Sequence, residues 1–478
     1  MSIRAGDAAS APSFPEAALT ALGDDQLRRN VRHATDVITA KRAGVVAEQR
    51  DWQELRTAAS EIKAHTLRHL GEYLTQFETT CTAAGGHVHW AADADEANRI
   101  IVGLIQQRGG REVIKVKTMT SDEIGLNRAL ETANIQPHET DLADMIIQLG
   151  QDVPSHIVVP ALHKNRHQVR EIFMRAMGLK ELGEQPEDLT RAAREYLREK
   201  FVRVKIGVSG ANFIIAETGG VCVVESEGNG RMCLTLPDVL ITIAGIEKVI
   251  PAFRDLEIFL QLLPRSATGE RMNPYNSLWT GVHPSEGPQE FHIVLLDNGR
   301  TRILADREAR PTLHCIRCGA CLNTCPVYRQ TGGHAYGSIY AGPIGAILTP
   351  QLVNMEHSQS LPYASSLCGA CYEVCPVKIN IPEVLIHLRG RVVREQQSAV
   401  KPEAVAMRLL ARIFGSRRRF EAAQRLGRLG QWPFVSHDWI RRLPGTLGNW
   451  TAARDLHAMP TETFRDWWQE REKGKRDA

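Results

Sequence analysis

The stretch HCIRCGACLNTCPVYR, residues 314–329, places cysteines at 315, 318, 321 and 325, and the last precedes Pro326. A second stretch, SSLCGACYEVCPVKI, residues 365–379, repeats the pattern with Cys368, Cys371 and Cys375 before Pro376. Ser365 stands where the first run has Cys315. The spacing Cys-x2-Cys-x2-Cys-x3-Cys-Pro is a ligand run for iron–sulfur clusters. Three thiolates two residues apart can wrap a tight loop around three corners of a cubane. Gly319-Ala320 and Gly369-Ala370 keep each loop small, so backbone N–H groups approach the sulfurs and stabilise their charge.

The fourth ligand comes from elsewhere. In two-cluster ferredoxins the cysteine before proline serves the other cluster. Carried onto this chain, cluster one takes Cys315, Cys318, Cys321 and Cys375. Cluster two takes Cys325, Cys368 and Cys371, with Ser365 or an outside group as a candidate fourth ligand. Both clusters are expected as [4Fe-4S], the second with [3Fe-4S] as its alternative. Zinc competes, because two Cys-x2-Cys pairs can make a tetrahedral site. Seven cysteines, two Cys-Pro endings and the full first run argue against it. A disulfide framework does not suit a cytoplasmic chain.

The chain has 478 residues, and its hydrophobic and charged fractions, 43% and 24%, are those of a globular protein. Its 58 basic and 55 acidic residues leave a net charge of only +3, which excludes a nucleic-acid glove. The charge is uneven: residues 391–478 carry about +8 and the rest about −5. Of ten cysteines, Cys81, Cys222 and Cys233 stand apart in apolar runs and read as inert core thiols. The longest apolar stretch, Val239 to Phe253, is broken by Glu247 and Lys248 and falls short of a membrane span. The N-terminus has no signal-peptide core, so the expected location is cytoplasmic, with peripheral association at the inner membrane face as an extension.

Residues 1–20 read as a disordered tail and 21–69 as N-terminal helices. Leu55, Ile62, Leu70, Leu74, Phe77 and Cys81 recur at helical spacing. From 70 to 305 strands and helices alternate, which predicts an α/β domain with a covered parallel sheet. Expected strands include 87–91, 112–117 (EVIKVK) and 156–160 (HIVVP), and 291–300 (FHIVLLDNGR) reads as a last strand with its turn. Asp93 with Glu96 forms a capping box that opens a helix. KIGVSG, ANFIIAE, VCVVES and RMCLTL, between 205 and 236, read as further strands. The turn-rich stretch 266–291 is long enough to be functional. Residues 306–395 form the cysteine domain, and 396–478 a basic segment holding five of the eight tryptophans.

No Walker loop, complete dinucleotide fingerprint, nucleophile elbow or zinc-protease helix occurs. His163 and His167, four apart in HKNRH, read as a solvated face. The basic C-terminal segment suits either a membrane surface or solvated helices that pack Trp432, Trp439 and Trp450 on the cysteine domain. The second reading is preferred, and nucleic acid is not expected.

The stretches VKTMTSDEIGLN (116–127), GVSGANFIIAETGG (207–220) and SATGERMNPYNSLWTGVHPSEGPQEFHIVLLDNGRT (266–301), with both cysteine runs, resemble the lactate utilization protein B family. The likeness extends to nearly everything beyond residue 20. It implies an α/β domain like those of ribose-phosphate isomerases and CoA transferases, followed by a helical two-cluster ferredoxin domain and a helical C-terminal segment. Three cysteines in the second run are usual in that family. The implied role is electron transport during conversion of L-lactate to pyruvate. The implied partners are a cysteine-rich, heterodisulfide-reductase-like protein and a second protein of isomerase-like fold.

Three functional readings follow. The chain relays electrons from a partner's lactate site to an acceptor such as a quinone or another carrier. Alternatively the α/β domain itself binds and oxidises lactate, in a pocket to which Lys117, Glu217 and Arg271 are assigned, or serves only as an assembly scaffold.

Overall fold

The computed structural model describes residues 12–353, 355–395 and 402–476. It divides into two compact units, after Val392.

The strands of the first unit are β1 (Gly86–Ala91), β2 (Glu112–Lys115), β3 (Gln136–Glu139), β4 (Ile206–Gly210), β5 (Phe213–Ile215), β6 (Gly220–Glu225), β7 (Val239–Gly245), β8 (Val249–Ile250), β9 (Tyr275–Thr280) and β10 (Glu290–Leu296). Six of them form one sheet in the order β1-β10-β7-β4-β2-β3. Every pair in it is parallel. Parallel sheets are buried on both faces, so their central strands read as continuous apolar runs. β7, VLITIAG, is buried along its whole length. Its residues divide by the period of two: Leu240 faces one core and Ile241 the other. The same holds for Ile114 against Val113 and for Ile293 against Val294.

One face is covered by the helices Ala94–Gln107 and Leu126–Thr132, through Ile101, Ile105, Leu126 and Leu130. Each such fully buried aliphatic side chain contributes roughly 2–3 kcal/mol. Only half of the capping box forms: Asp93 accepts from the Glu96 N–H at 2.8 Å, but Glu96 accepts from the N–H of Ala92, one residue before the cap, at 2.8 Å. The other face meets the helix Leu70–Ala83 and a smaller sheet, β8-β5-β6-β9.

A third core joins the helices Asp25–Ala47 and Trp52–Arg68 to both cysteine runs. Val31, Trp52 and Ala59 pack there with Leu322, Tyr328, Val377 and Leu385. The cysteine region therefore folds against the N-terminal helices and has no isolated core of its own.

Several expectations are corrected. Residues 14–20 belong to a helix, Phe14–Leu22, and are not tail; Phe14 packs its ring on Tyr336 at 4.9 Å. Residues 1–11 of that expected tail lie outside the described residues. RMCLTL lies in the helix Asn229–Thr235, because Glu225 accepts the N–H groups of Gly230 and Arg231 and caps its first turn. HIVVP is not a strand. The His156 ring accepts the N–H groups of Val158 and Val159, each at 3.0 Å, and Lys117 donates to the Val158 carbonyl, so side chains replace a strand partner. His163 is buried, 3.0 Å from Asp152, whereas His167 is exposed.

The second unit contains the helices Pro402–Phe414, Arg417–Gly430 and Phe464–Arg476, with a three-stranded sheet of two-residue strands. Ile440 is its one buried residue among those described. Trp432 and Trp450 are 83% and 61% exposed, and Trp439 is exposed too. Two-residue strands and separate helices enclose too little volume to cover them. Among the described residues, no helix is long and apolar enough to cross a membrane.

Candidate metal centre

The two cysteine runs fold as copies of one another. Arg317 and Gly319 take left-handed backbone angles, with φ of 61° and 73°. Leu367 and Gly369 match them, with φ of 55° and 86°. Each loop then enters a five-residue helix, Ala320–Thr324 or Ala370–Val374. Each helix stops at the cysteine before proline, where Cys325 and Cys375 turn extended with ψ of 119° and 118°. Proline forces that break by lacking an N–H and restricting the preceding residue.

The copies differ in surroundings. A side chain on Gly319 would meet Val158 and His156 at 3.1 and 3.2 Å, while Gly369 faces open space. Cys318, Cys321, Cys325, Cys371 and Cys375 are buried, Cys315 is half-buried and Cys368 is exposed. None of the ten cysteines forms a disulfide.

Mutual electrostatics sort the seven into two groups. Burial pushes the Cys318 thiol up to about 12, reinforced by Cys315 and then by Cys375. Burial with Cys315, Cys318, Cys371 and Cys375 beside it holds Cys321 well above its ordinary value. Burial pushes Cys371 up to about 12, with Cys325 and Cys368 adding to it. One neighbourhood is thus Cys315, Cys318, Cys321 and Cys375, and the other is Cys325, Cys368 and Cys371. Cys371 also acts on Cys321, so the two groups are coupled electrostatically. Packed thiols of this kind resist ionisation alone and suit a site where iron supplies compensating positive charge.

Backbone N–H groups address the sulfurs. Arg317 N–H donates to Cys315 Sγ at 3.4 Å, and Ile379 N–H to Cys375 Sγ at 3.3 Å. The second loop repeats the first of these with oxygen: Leu367 N–H donates to Ser365 Oγ at 3.1 Å. Ser365 Oγ thus holds the place that Cys315 Sγ holds in the first loop. Two thiol neighbourhoods, each in a left-handed cradle lined by N–H donors, fit two iron–sulfur clusters.

Around the first neighbourhood lie cations that local reading of the sequence did not single out. Arg56 donates from Nε to the Cys375 carbonyl at 2.8 Å and from Nη2 to the Tyr372 carbonyl at 3.2 Å. Arg42 donates to the Val374 carbonyl at 3.0 Å. Their only sequence signal is a basic residue on the apolar face of a helix. His156 is buried, and burial, with Lys117 nearby, takes it down to about 3. Its Nδ1 accepts two N–H groups, so Nε2 carries the proton and donates to Asn323 Oδ1 at 3.1 Å, between Cys321 and Cys325.

Of the three pocket residues expected in the α/β domain, the structure places one. Lys117 lines a cavity at the C-terminal ends of β2 and β4. Glu217 is exposed and accepts from the Phe253 N–H at 2.8 Å, away from that cavity. Arg271 is 72% exposed and forks onto Glu48 at 2.6 and 2.7 Å. An exposed carboxylate in reach attracts a flexible guanidinium outward, which a reading of 266–291 as one functional loop does not foresee.

Residues 74–296 match the LUD domain, 312–379 the 4Fe-4S dicluster domain, and 387–473 the C-terminal domain of lactate utilisation protein B. The chain is 40% identical over 479 residues to lactate utilization protein B of Oceanobacillus iheyensis, covering 100% of this chain and 99% of that one. It is 41% identical to lactate utilization protein B of Bacillus subtilis, covering 97% of each. It is 42% identical to the uncharacterized electron transport protein YkgF of Escherichia coli, covering 93% of this chain and 94% of that one. The α/β domain, the dicluster domain with its two iron–sulfur clusters and the full-length likeness agree: the chain belongs to the lactate utilization protein B family.

Proposed function

We propose that this chain carries electrons in the oxidation of L-lactate to pyruvate, between a partner's lactate site and a downstream acceptor such as a quinone. What supports this reading is the grouping of the seven cysteines into a set of four and a set of three, with Cys371 among the charges that act on Cys321. Lactate loses two electrons and two protons on becoming pyruvate. When bound, each iron–sulfur cluster supplies one-electron exchange, so an adjacent pair matches that stoichiometry.

The residues serve distinct ends of such a path. Cys315, Cys318, Cys321 and Cys375 hold one cluster within the core, against Arg42 and Arg56. Cys325, Cys368 and Cys371 hold the other, with Ser365 Oγ or an outside group as its fourth ligand. The exposed Cys368 and the open face of Gly369 support a second cluster near the protein surface. The partners proposed are the other lactate-utilization subunits, the cysteine-rich protein and the second protein of isomerase-like fold. The proposed site of action is the cytoplasm or the inner membrane face.

The test is anaerobic purification with iron, sulfide and electron paramagnetic resonance analysis. About eight iron per chain supports two cubanes, and about seven a cubane with a three-iron cluster. Both signals should appear on adding L-lactate with the two partner proteins. Zinc without sulfide overturns the reading.

A further inference from the structure

The C-terminal unit concentrates its positive charge in one stretch. Residues 404–442 hold nine arginines against two acids, Glu421 and Asp438. Residues 443–476 are nearly balanced, with six basic and five acidic side chains. Glu421 is already met by Arg417 at 2.7 Å and by Arg465 at 3.1 Å. Asp466 of the last helix is close enough to feel Arg425 and Arg428 and offsets part of their charge. Arg418, Arg419, Arg441 and Arg442 are exposed and form no ion pair among the described residues.

The helix Arg417–Gly430 has two distinct faces. Phe420, Gln424 and Gly427, at steps of three and four, are half-buried. Phe420 meets the Phe414 ring at 5.5 Å, and a side chain on Gly427 would meet Met459 at 3.5 Å, so this face packs inside the unit. The opposite face runs through Arg418, Ala422, Arg425, Leu426 and Leu429, all exposed. Leu426 is 69% and Leu429 74% exposed, and Trp432, one further step of three, is 83% exposed.

Water does not favour this arrangement. An amphipathic helix on a soluble surface turns its leucines inward and its charges outward. Here leucines and arginines stand side by side on the outward face, which ends on an open indole. The helix is 14 residues long, about 21 Å, and among the described residues no helix is long and apolar enough to cross a membrane. Leucines and a tryptophan flanked by arginines suit a helix that lies in the interface plane of a bilayer. There the leucines enter the acyl boundary, the indole sits among headgroups and the arginine stems carry their charge up to phosphate. The excess of arginine over acid selects an anionic lipid.

We infer that the face through Arg418, Arg425, Leu426, Leu429 and Trp432 docks this chain on an anionic lipid bilayer. This deepens one of the two sites of action proposed above, the inner membrane face, and rests on the chain's meeting that membrane. It does not need the electron-carrying role.

The test is co-sedimentation of the anaerobically reconstituted full chain with vesicles of phosphatidylcholine and with vesicles of an equal mixture with phosphatidylglycerol. Binding to the anionic vesicles should be at least tenfold stronger. Raising sodium chloride from about 0.1 to about 0.5 M should weaken it several-fold by screening. Leu426→Ser with Leu429→Ser, and separately Arg418→Gln with Arg425→Gln, should each weaken it at least tenfold, with iron content and melting temperature unchanged. Trp432→Ser, a single change at an open side chain, decides the matter should a double variant fail to fold. Equal sedimentation with and without phosphatidylglycerol overturns the inference, as does unchanged binding in folded variants. A native chain that ignores vesicles, with a double-leucine variant that melts lower or loses a dimer, means that protein covers this face, and it overturns the inference too. Iron, sulfide and resonance analysis decide the electron-carrying role separately, so failure of one is told apart from failure of the other.

Discussion

Arg317 Nη2 meets Glu247 Oε1 at 3.1 Å, and this ion pair ties the first cysteine loop to the end of the parallel sheet. Glu247 also accepts from Arg300 Nε at 2.5 Å, and Arg300 forks onto Glu123 at 2.9 Å through both terminal nitrogens. Tyr340 OH donates to Glu123 at 2.6 Å, and the Arg317 guanidinium lies over the Tyr340 ring. The Arg300, Glu123 and Glu247 side chains are each only 1% exposed. Cluster loop and sheet thus share one buried charge network.

The first prediction concerns its acid response. Burial raises the Glu247 carboxyl, but Arg300 and Arg317 outweigh it and pull it down to about 2 from an ordinary 4.5. A depressed carboxyl stabilises fully above its unfolded value and loses that contribution as pH falls through its folded value. Glu247→Gln should therefore destabilise the chain by about 3–5 kcal/mol at neutral pH, the cost of breaking a buried pair. The gap between variant and native melting temperatures should stay level from pH 8 to 5 and narrow below about 4.5. A gap that is constant down to pH 3 contradicts the assignment.

Crossed ligation makes a second prediction. Cys375→Ala should abolish the signal of the cluster held by Cys315, Cys318 and Cys321, although residue 375 lies in the other run. Iron should fall by about half while the remaining signal persists. Loss of the second cluster's signal alone would falsify the crossing.

Ser365 supplies a third. Its Oγ accepts the same N–H bond that Cys315 Sγ accepts in the first loop. Ser365→Cys should place a fourth thiolate in the second group and slow iron removal by a chelator several-fold. The first cluster's spectrum should not move. An unchanged rate of iron loss would mean that the side chain at 365 does not reach the cluster.

Arg56 leads to the fourth. A buried cation beside the Cys315 group favours the reduced, more negative state of a cluster there. Arg56→Gln should lower that cluster's midpoint potential by on the order of 100 mV, taking a charge a few ångströms away at an effective dielectric near 20. Arg56→Lys should restore most of it, because it keeps the charge and sacrifices only the second carbonyl contact. Equal potentials in both variants would reduce Arg56 to a helix clamp.

The cysteine spacing and the two Cys-Pro endings were enough to read the iron–sulfur dicluster domain matched over residues 312–379, because ligand geometry within a loop is set by a few neighbouring residues. The parallel sheet was legible for the same local reason, as in the unbroken apolar run of β7. Local pattern failed where distant side chains satisfy the backbone. RMCLTL alternates like a strand, yet Glu225 caps it as a helix. HIVVP has strand composition, yet His156 and Lys117 take the backbone partners that a strand would need.

Sequence alone determined which residues carry sulfur, where each loop turns and which segments have strand or helix period. Tertiary structure decided what surrounds them: Arg42 and Arg56 beside the first group, and Arg317 shared between a cysteine loop and a cavity wall. Spacing along the chain sets contacts within a turn or two, whereas the partners of a buried charge come from segments hundreds of residues apart that only the folded core brings together.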